Sequence, residues 1–289
     1  MWFGLASLFV CLPALGQVQY VGPSDKTAGE FLAERERAGL ITPLNVNQEG
    51  PSDIAFVLGA ANAAGQFGAY FRTDIHLGDS GHSSDTGRIY FNVFVLPANQ
   101  SNGSVSGDLY SLPAYGFATF TDVVGRKSIS GAATVVIAVD HGRSTAPAAA
   151  QFLSVWGKTY TAGPNGGEFT TTLPVTYGYL ISSASHVDAI GVVQNSRKRT
   201  NVSVFNHMTA QTIFPVVTVF DQTGRYLGNF TLTVPPLSTV QTGIGQFVVD
   251  EPGGIIAVSL TSGKATAFAV TVDNLTNDGD LLLGSYRPE

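Results

Sequence analysis

The sequence predicts an all-β fold: two tandem antiparallel β-sandwich domains, Ig-like or jelly-roll-like, with a short N-terminal helix. Three observations carry that expectation. From Asp53 onward, short runs rich in Val, Ile, Phe and Thr follow one another, each too short for a typical helix. Turn formers separate them, in a chain that holds 33 Gly and 14 Pro. Charged residues make up 12%, well below the usual share of about 25%, while hydrophobic residues reach 44%. A chain of 289 residues with that make-up has apolar material for more than one core.

The same figures exclude other classes. A net charge of -6 with 44% hydrophobic residues is no disordered polyelectrolyte. An electrostatic nucleic-acid binder needs a basic face, which an acidic chain with 5 Lys and 10 Arg does not suggest.

Residues 1–16 read MWFGLASLFVCLPALG. Leu5–Leu15 is apolar but too short for a membrane helix, and small residues precede a cut near Gly16–Gln17. We expect a secretory signal peptide, and hence an extracellular or cell-envelope protein. Cys11 is the one cysteine. With the signal removed no disulfide is available, so core burial must hold the domains. No later stretch is long and apolar enough to span a membrane as a helix.

Residues 17–52 read as a linker carrying a short helix over 25–39. Phe31, Leu32 and Leu40 are apolar there, and Glu30, Glu34, Arg35, Glu36 and Arg37 line the rest. Its expected role is a spacer. Strands are then expected at Tyr90–Leu96, Ala133–Val139, Phe152–Val155, Thr200–Phe205, Phe214–Phe220, Ile255–Leu260 and Ala267–Val272. Val135-Val136-Ile137 and Val216-Val217 are apolar on both faces, which suits a sandwich interior or an interface better than an outer-membrane barrel.

The two halves match in order. Arg72-Thr73-Asp74 aligns with Arg199-Thr200-Asn201, Leu112-Pro113 with Val234-Pro235, and Phe152-Leu153 with Phe268-Ala269. The spacing shortens along the chain, so the second copy has shorter loops. We read a duplication, with domains at 53–183 and 184–289. Those segments, with Lys158-Thr159-Tyr160-Thr161 and Pro164-Asn165-Gly166-Gly167, resemble secreted bacterial β-sandwich proteins that occur in tandem copies. The second half is distantly similar to the small β-sandwich transducer of bacterial sensory rhodopsins. The resemblance implies a fold and a compartment; it carries no catalytic residues.

Gly78-Asp79-Ser80-Gly81 looks like the nucleophile segment of chymotrypsin-like proteases. There a His and an Asp on an earlier barrel activate the Ser, and here the sole upstream histidine is His76, four residues away. A polar turn is the better account. His76, Asp79, His82 and Asp85 offer imidazole and carboxylate, at a spacing that matches no closed metal site. Asp273, Asn277, Asp278 and Asp280 are a weak candidate for Ca²⁺, without the bidentate Glu of an EF-hand. Arg72 and Arg199 recur in both copies and are read as structural anchors that tie a strand to a carboxylate or to carbonyls. The aromatics Tyr110, Tyr115, Phe117, Phe120, Trp156, Tyr160, Tyr177 and Tyr179 pack a sandwich or, if exposed in a strip, bind sugar rings.

The favoured reading is a non-enzymatic protein with a structural or interaction role, whose partner is an unidentified protein or glycan at the cell surface. No cofactor, catalytic residue or nucleic-acid partner is expected. The alternatives are a carbohydrate-binding module and a β-fold hydrolase. The first would show an exposed aromatic strip on one sheet face. The second would gather a nucleophile, His and Asp/Glu within hydrogen-bond reach.

Overall fold

A computed structural model describes residues 18–43, 53–65, 68–79, 87–146, 151–162, 167–183, 185–276 and 279–288. The expected signal (1–16) with Cys11, and Ser80, His82, Asp85, Asn277 and Asp278, lie outside them. The protein is all-β, with one short helix near the N-terminus.

The stretch read as a linker is largely structured. Strand β1 (Gln19–Thr27) pairs with β5 (Ser106–Pro113) at a sheet edge, with register shifts around Gly22 and after Pro23. Its polar, Gly- and Pro-containing sequence has no alternation to announce a strand, because an edge strand needs only backbone partners. Helix α1 (Ala28–Arg37) follows directly and is shorter than the expected 25–39. Thr27 and Glu30 form a capping box that satisfies both backbone donors at its start. The helix is no spacer. Ala28, Phe31 and Leu32 are buried against the first sandwich, and buried Arg35 bonds Asp53 at 2.6 Å and also Val139 O.

The first sandwich is built from β2 (Ile54–Ala64), β3 (Tyr70–Asp79), β4 (Arg88–Pro97), β5, β6 (Phe117–Phe120), β7 (Gly131–Val139), β8 (Leu153–Ala162), β9 (Glu168–Thr172) and β10 (Val175–Thr176). One layer runs β1-β5-β4-β7-β2-β10, and the other runs β6-β3-β8-β9. Pairs Ala63–Phe71 and Ala64–Tyr70 join them at a corner. Val57, Ile75, Leu77, Phe91, Ile137 and Val155 fill the space between the layers.

The second half contains β11 (Ile181–Ser182), β12 (Ser185–Gln194), β13 (Lys198–Asn206), β14 (Val216–Phe220), β15 (Tyr226–Thr231), β16 (Thr239–Gly243), β17 (Val249–Ser259), β18 (Lys264–Asp273), β19 (Gly279–Leu283) and β20 (Ser285–Pro288). Its sheets run β15-β14-β17-β12-β20 and β16-β13-β18-β19, with β11 added to β18. Apart from β1, β11 and the β2–β3 corner, the pairings repeat those of the first sandwich. Details repeat too. Buried Thr73 bonds Thr159 and Ala61 O, and buried Thr200 bonds Thr271 and Val193 O. Gly59 (φ 78°) and Gly191 (φ 90°) carry bulges in β2 and β12, a conformation that favours glycine.

This register corrects part of the sequence alignment. Arg72 and Arg199 are equivalent, each one residue before its buried threonine. Phe268 stands opposite Ser203, and the equivalent pair in the first half is His76–Trp156. Phe152 lies just outside β8, and Leu112 is on β5 whereas Val234-Pro235 follows β15. Short apolar matches slide along a strand because the alternation repeats every two residues. Strand β11 pairs with β18, so the second set of sheets begins ahead of 184.

The outer face of the β4-β7-β2 sheet is buried as well. Phe56, Leu58, Phe94 and Val136 pack there with Phe205, Leu237 and Phe268 of the second half and with the helix. Phe56 and Phe205 lie 5.6 Å apart. Thr134 and Thr239 share a buried hydrogen bond of 2.6 Å. The doubly apolar run Val135-Val136-Ile137 thus faces a sandwich core on one side and this seam on the other.

Candidate functional site

The sheet β6-β3-β8-β9 turns its outer side to solvent. Alternation along β3 sends Thr73, Ile75 and Leu77 inward, and sends His76 outward beside Trp156 on β8. Phe117 on β6 stands opposite Gly78, which leaves room for its ring. The three rings form one row. His76 stacks on Phe117 at 6.0 Å and 16°, and lies 4.8 Å from Trp156. The His76 Nδ1 shares a hydrogen bond of 3.0 Å with Thr119 Oγ1, which fixes the imidazole between its neighbours. Phe117 is 60% exposed and Trp156 45%. The two large rings are thus left open side by side.

Polar groups flank the row. Lys158 lies over the Tyr160 ring and pairs with Glu168 at 3.2 Å. Arg72 lies over Tyr70 and 3.9 Å from Asp122. Asp74 accepts the backbone N–H of Asp122 at 2.9 Å. Burial, aided by the Asp74 charge, raises the Tyr160 phenol above its ordinary value.

The other sequence candidates fall elsewhere. Arg199 donates to the Asn274 side-chain oxygen at 2.8 Å. Its equivalent Arg72 has a half-exposed side chain beside a carboxylate and an aromatic ring. Asp79 accepts the backbone N–H of Tyr115 at 3.0 Å, while His76 is engaged by Thr119 and two aromatics. Asp273 caps its own turn through the N–H groups of Leu275 and Thr276, which hold its carboxyl below the usual range. Asp280 lies on β19, opposite Thr271. Among the described residues no three His, Cys, Asp or Glu gather in a metal-holding group. Of the aromatics, Phe120 is buried, Tyr110 and Tyr177 pack against the core, and Tyr179 lies over Lys264. The sequence grouped Trp156 and Phe117 with six other aromatics. It gave no sign of the row they make with His76, because strands in register form it.

The fold and this surface define a two-sandwich all-β protein with an open aromatic face, and no helix among the described residues is long and apolar enough to cross a membrane. No family model matches the chain, and no curated protein matches it. Two solved structures of a lectin from Pleurotus ostreatus align with it. The complex with GalNAc is 11% identical over 84% of each chain, and the apo form 9% identical over 95% of this chain and 87% of that one. Both give a TM-score of 0.13, too low to carry an argument about fold or ligand.

Proposed function

We propose that this is a non-enzymatic, exported or cell-envelope protein of two duplicated sandwich domains, and that it binds a glycan through the Phe117–His76–Trp156 face. One observation carries the reading: Trp156 is held open and braced by His76 on a sheet face flanked by charged hydrogen-bonding groups. A sugar ring presents an apolar C–H face and a rim of hydroxyls. The first packs on an exposed indole, and the second suits Lys158 and Thr119.

The internal repeat argues against a protein partner that copies the seam. In the second half, the positions equivalent to Trp156 and Phe117 are Phe268 and Thr239, which face the first sandwich. Docking there needs a bulky apolar sheet face on the other side. The second sandwich presents His186, Asp188 and Thr218 where the first presents Ile54, Phe56 and Phe94. The outer face of the second sandwich thus lacks the phenylalanines that form the seam.

The test is a glycan array followed by titration of the best hit. Trp156→Ala should weaken binding at least tenfold, about 1.4 kcal/mol, without shifting the melting temperature. Glycan recovered intact after long incubation supports a non-enzymatic role. Cleaved glycan, or a Trp156→Ala variant that binds as the parent does, overturns the proposal. N-terminal sequencing of the native protein tests export, and recovery of Met1 would sink that part.

A further inference from the structure

The second sandwich keeps an edge open where the first is covered. Strand β15 is the counterpart of β5: one pairs with β14, the other with β4. The far side of β5 carries β1, with partners from Gln19–Ser111 to Thr27–Ser106. Strand β15 has no such neighbour among the described residues. Helix α1 begins directly after β1 and packs on the first sandwich, so the chain's own β1 is held at β5.

The hydrogen bonds fix what this edge presents. The Leu232 N–H donates to Pro215 O at 3.0 Å, and Val234 and Ile213 exchange both backbone bonds. Bonded pairs in an antiparallel ladder recur at every second residue, so the next is Phe230–Val217. Asn229, Thr231 and Thr233 therefore turn their N–H and C=O groups away from β14. Those groups have no hydrogen-bond partner among the described residues, and all three side chains are exposed. Open edges are ordinarily guarded by charged side chains, prolines or bulges. Residues 226–234 hold no charge and no proline. The one register shift lies between Gly228 and Tyr226, and the ladder is regular from Gly228 to Thr231. Arg225, at the strand's entrance, is paired with Asp221 at 2.9 Å.

We propose that β15 is a self-association edge, at which two copies of this chain pair their β15 strands antiparallel about a two-fold axis. Pairing centred on Phe230 sets Asn229 opposite Thr231 of the second copy. Both residues present N–H and C=O to the edge, so they form bonded pairs on either side of the axis. The result joins two five-stranded sheets into one. The lack of charge selects a second copy as the occupant. A strand paired about a two-fold axis meets its own sequence, so any charge it carried would face a like charge, and β15 carries none. The first sandwich supplies the precedent: its equivalent edge accepts an antiparallel strand as polar and irregular as β1. The Trp156 face lies on the other sandwich, and either proposal can fail without the other.

The experiment follows the mass of the full chain by sedimentation equilibrium over a range of concentrations, with amide hydrogen exchange on the same samples. A monomer–dimer equilibrium is expected, with the Asn229, Thr231 and Thr233 amides gaining protection as the dimer fills. Thr231→Lys should weaken the dimer at least tenfold by setting like charges about the axis. Asn229→Pro removes an N–H that faces the edge rather than β14, and should do the same. Thr170→Lys, on the exposed strand β9 of the first sandwich, should leave the dimer unchanged. A monomer at every concentration overturns the proposal, as does a dimer that ignores Thr231→Lys or leaves those amides unprotected. Protection that appears only when a different protein is added gives the edge to a foreign strand and also overturns self-pairing. If Asn229→Pro does not fold, Thr231→Lys and the exchange pattern of the parent decide.

Discussion

His207 is fully buried in the seam, T-shaped to Phe56 at 4.6 Å and to Phe205 at 4.7 Å. Its Nε2 shares a hydrogen bond with Thr266 at 2.9 Å, and its buried Nδ1 has no hydrogen-bond partner among the described residues. Burial, and then the nearby Lys264 charge, push it down to about 3 from 6.5. Lys264 is itself paired with Glu36 and lies over Tyr179. A base with a depressed pKa stabilises the fold above its unfolded value. The unfolded chain takes up a proton from pH 6.5 downward, while the folded one does not until about 3. Stability should therefore fall by about 2–3 kcal/mol between pH 6.5 and 4.5. Urea unfolding across that range should show the loss, and His207→Leu should flatten it; parallel slopes would refute the assignment. Asp221 acts in a lower window. The Thr223 hydroxyl, with backbone and Arg225 donors, holds it at about 2, so its contribution is lost only as pH falls below the ordinary 3.8. The paired threonines make a further prediction at this scale. Thr200→Val strands the Val193 carbonyl and the Thr271 hydroxyl in the core, and should cost about 1–3 kcal/mol.

At the scale of elements, α1 and β1 owe their form to neighbours and caps. Leu32 and Arg35 are buried on one side of the helix, and ten residues are too few for a stable isolated helix. The capping box adds local support. Thr27→Ala should lower stability by about 1 kcal/mol in urea titration, while Thr27→Ser should leave it unchanged. Arg35 links the helix to the sandwich through Asp53, which His141 also contacts at 3.2 Å.

Across the whole molecule, two sandwiches of the same topology share a third core. Phe56, Phe94 and Phe205 are buried there to the same degree as core residues within either sandwich. Phe56→Ala should cost about 3–5 kcal/mol. The parent should melt in one transition, because neither sandwich can separate without exposing this seam. Calorimetry of a Phe56→Ala, Phe268→Ala variant should resolve two transitions; a single one in both proteins would mean that the seam does not couple them. On the far side of the second sandwich, Asp188 and Thr218 stand where the first has the docking phenylalanines Phe56 and Phe94.

The sequence alone determined the fold class. Strand placement at Tyr90–Leu96, Ala133–Val139 and Thr200–Phe205 follows from β-branched runs bounded by turn formers, a signal local to each segment. It also marked Val135-Val136-Ile137 as apolar on both faces and set Arg72 and Arg199 at matching positions. Only the tertiary structure decided what those features face. Polar β1 became a strand because an edge offers backbone partners. His76, Phe117 and Trp156 became one surface because three strands, distant in sequence, fix a common register. Equivalent arginines parted ways because one sheet face meets solvent and the other meets a neighbouring sandwich. Burial and register are properties of the assembled sheets, and residues that look alike in the chain acquire different chemistry from what is packed against them.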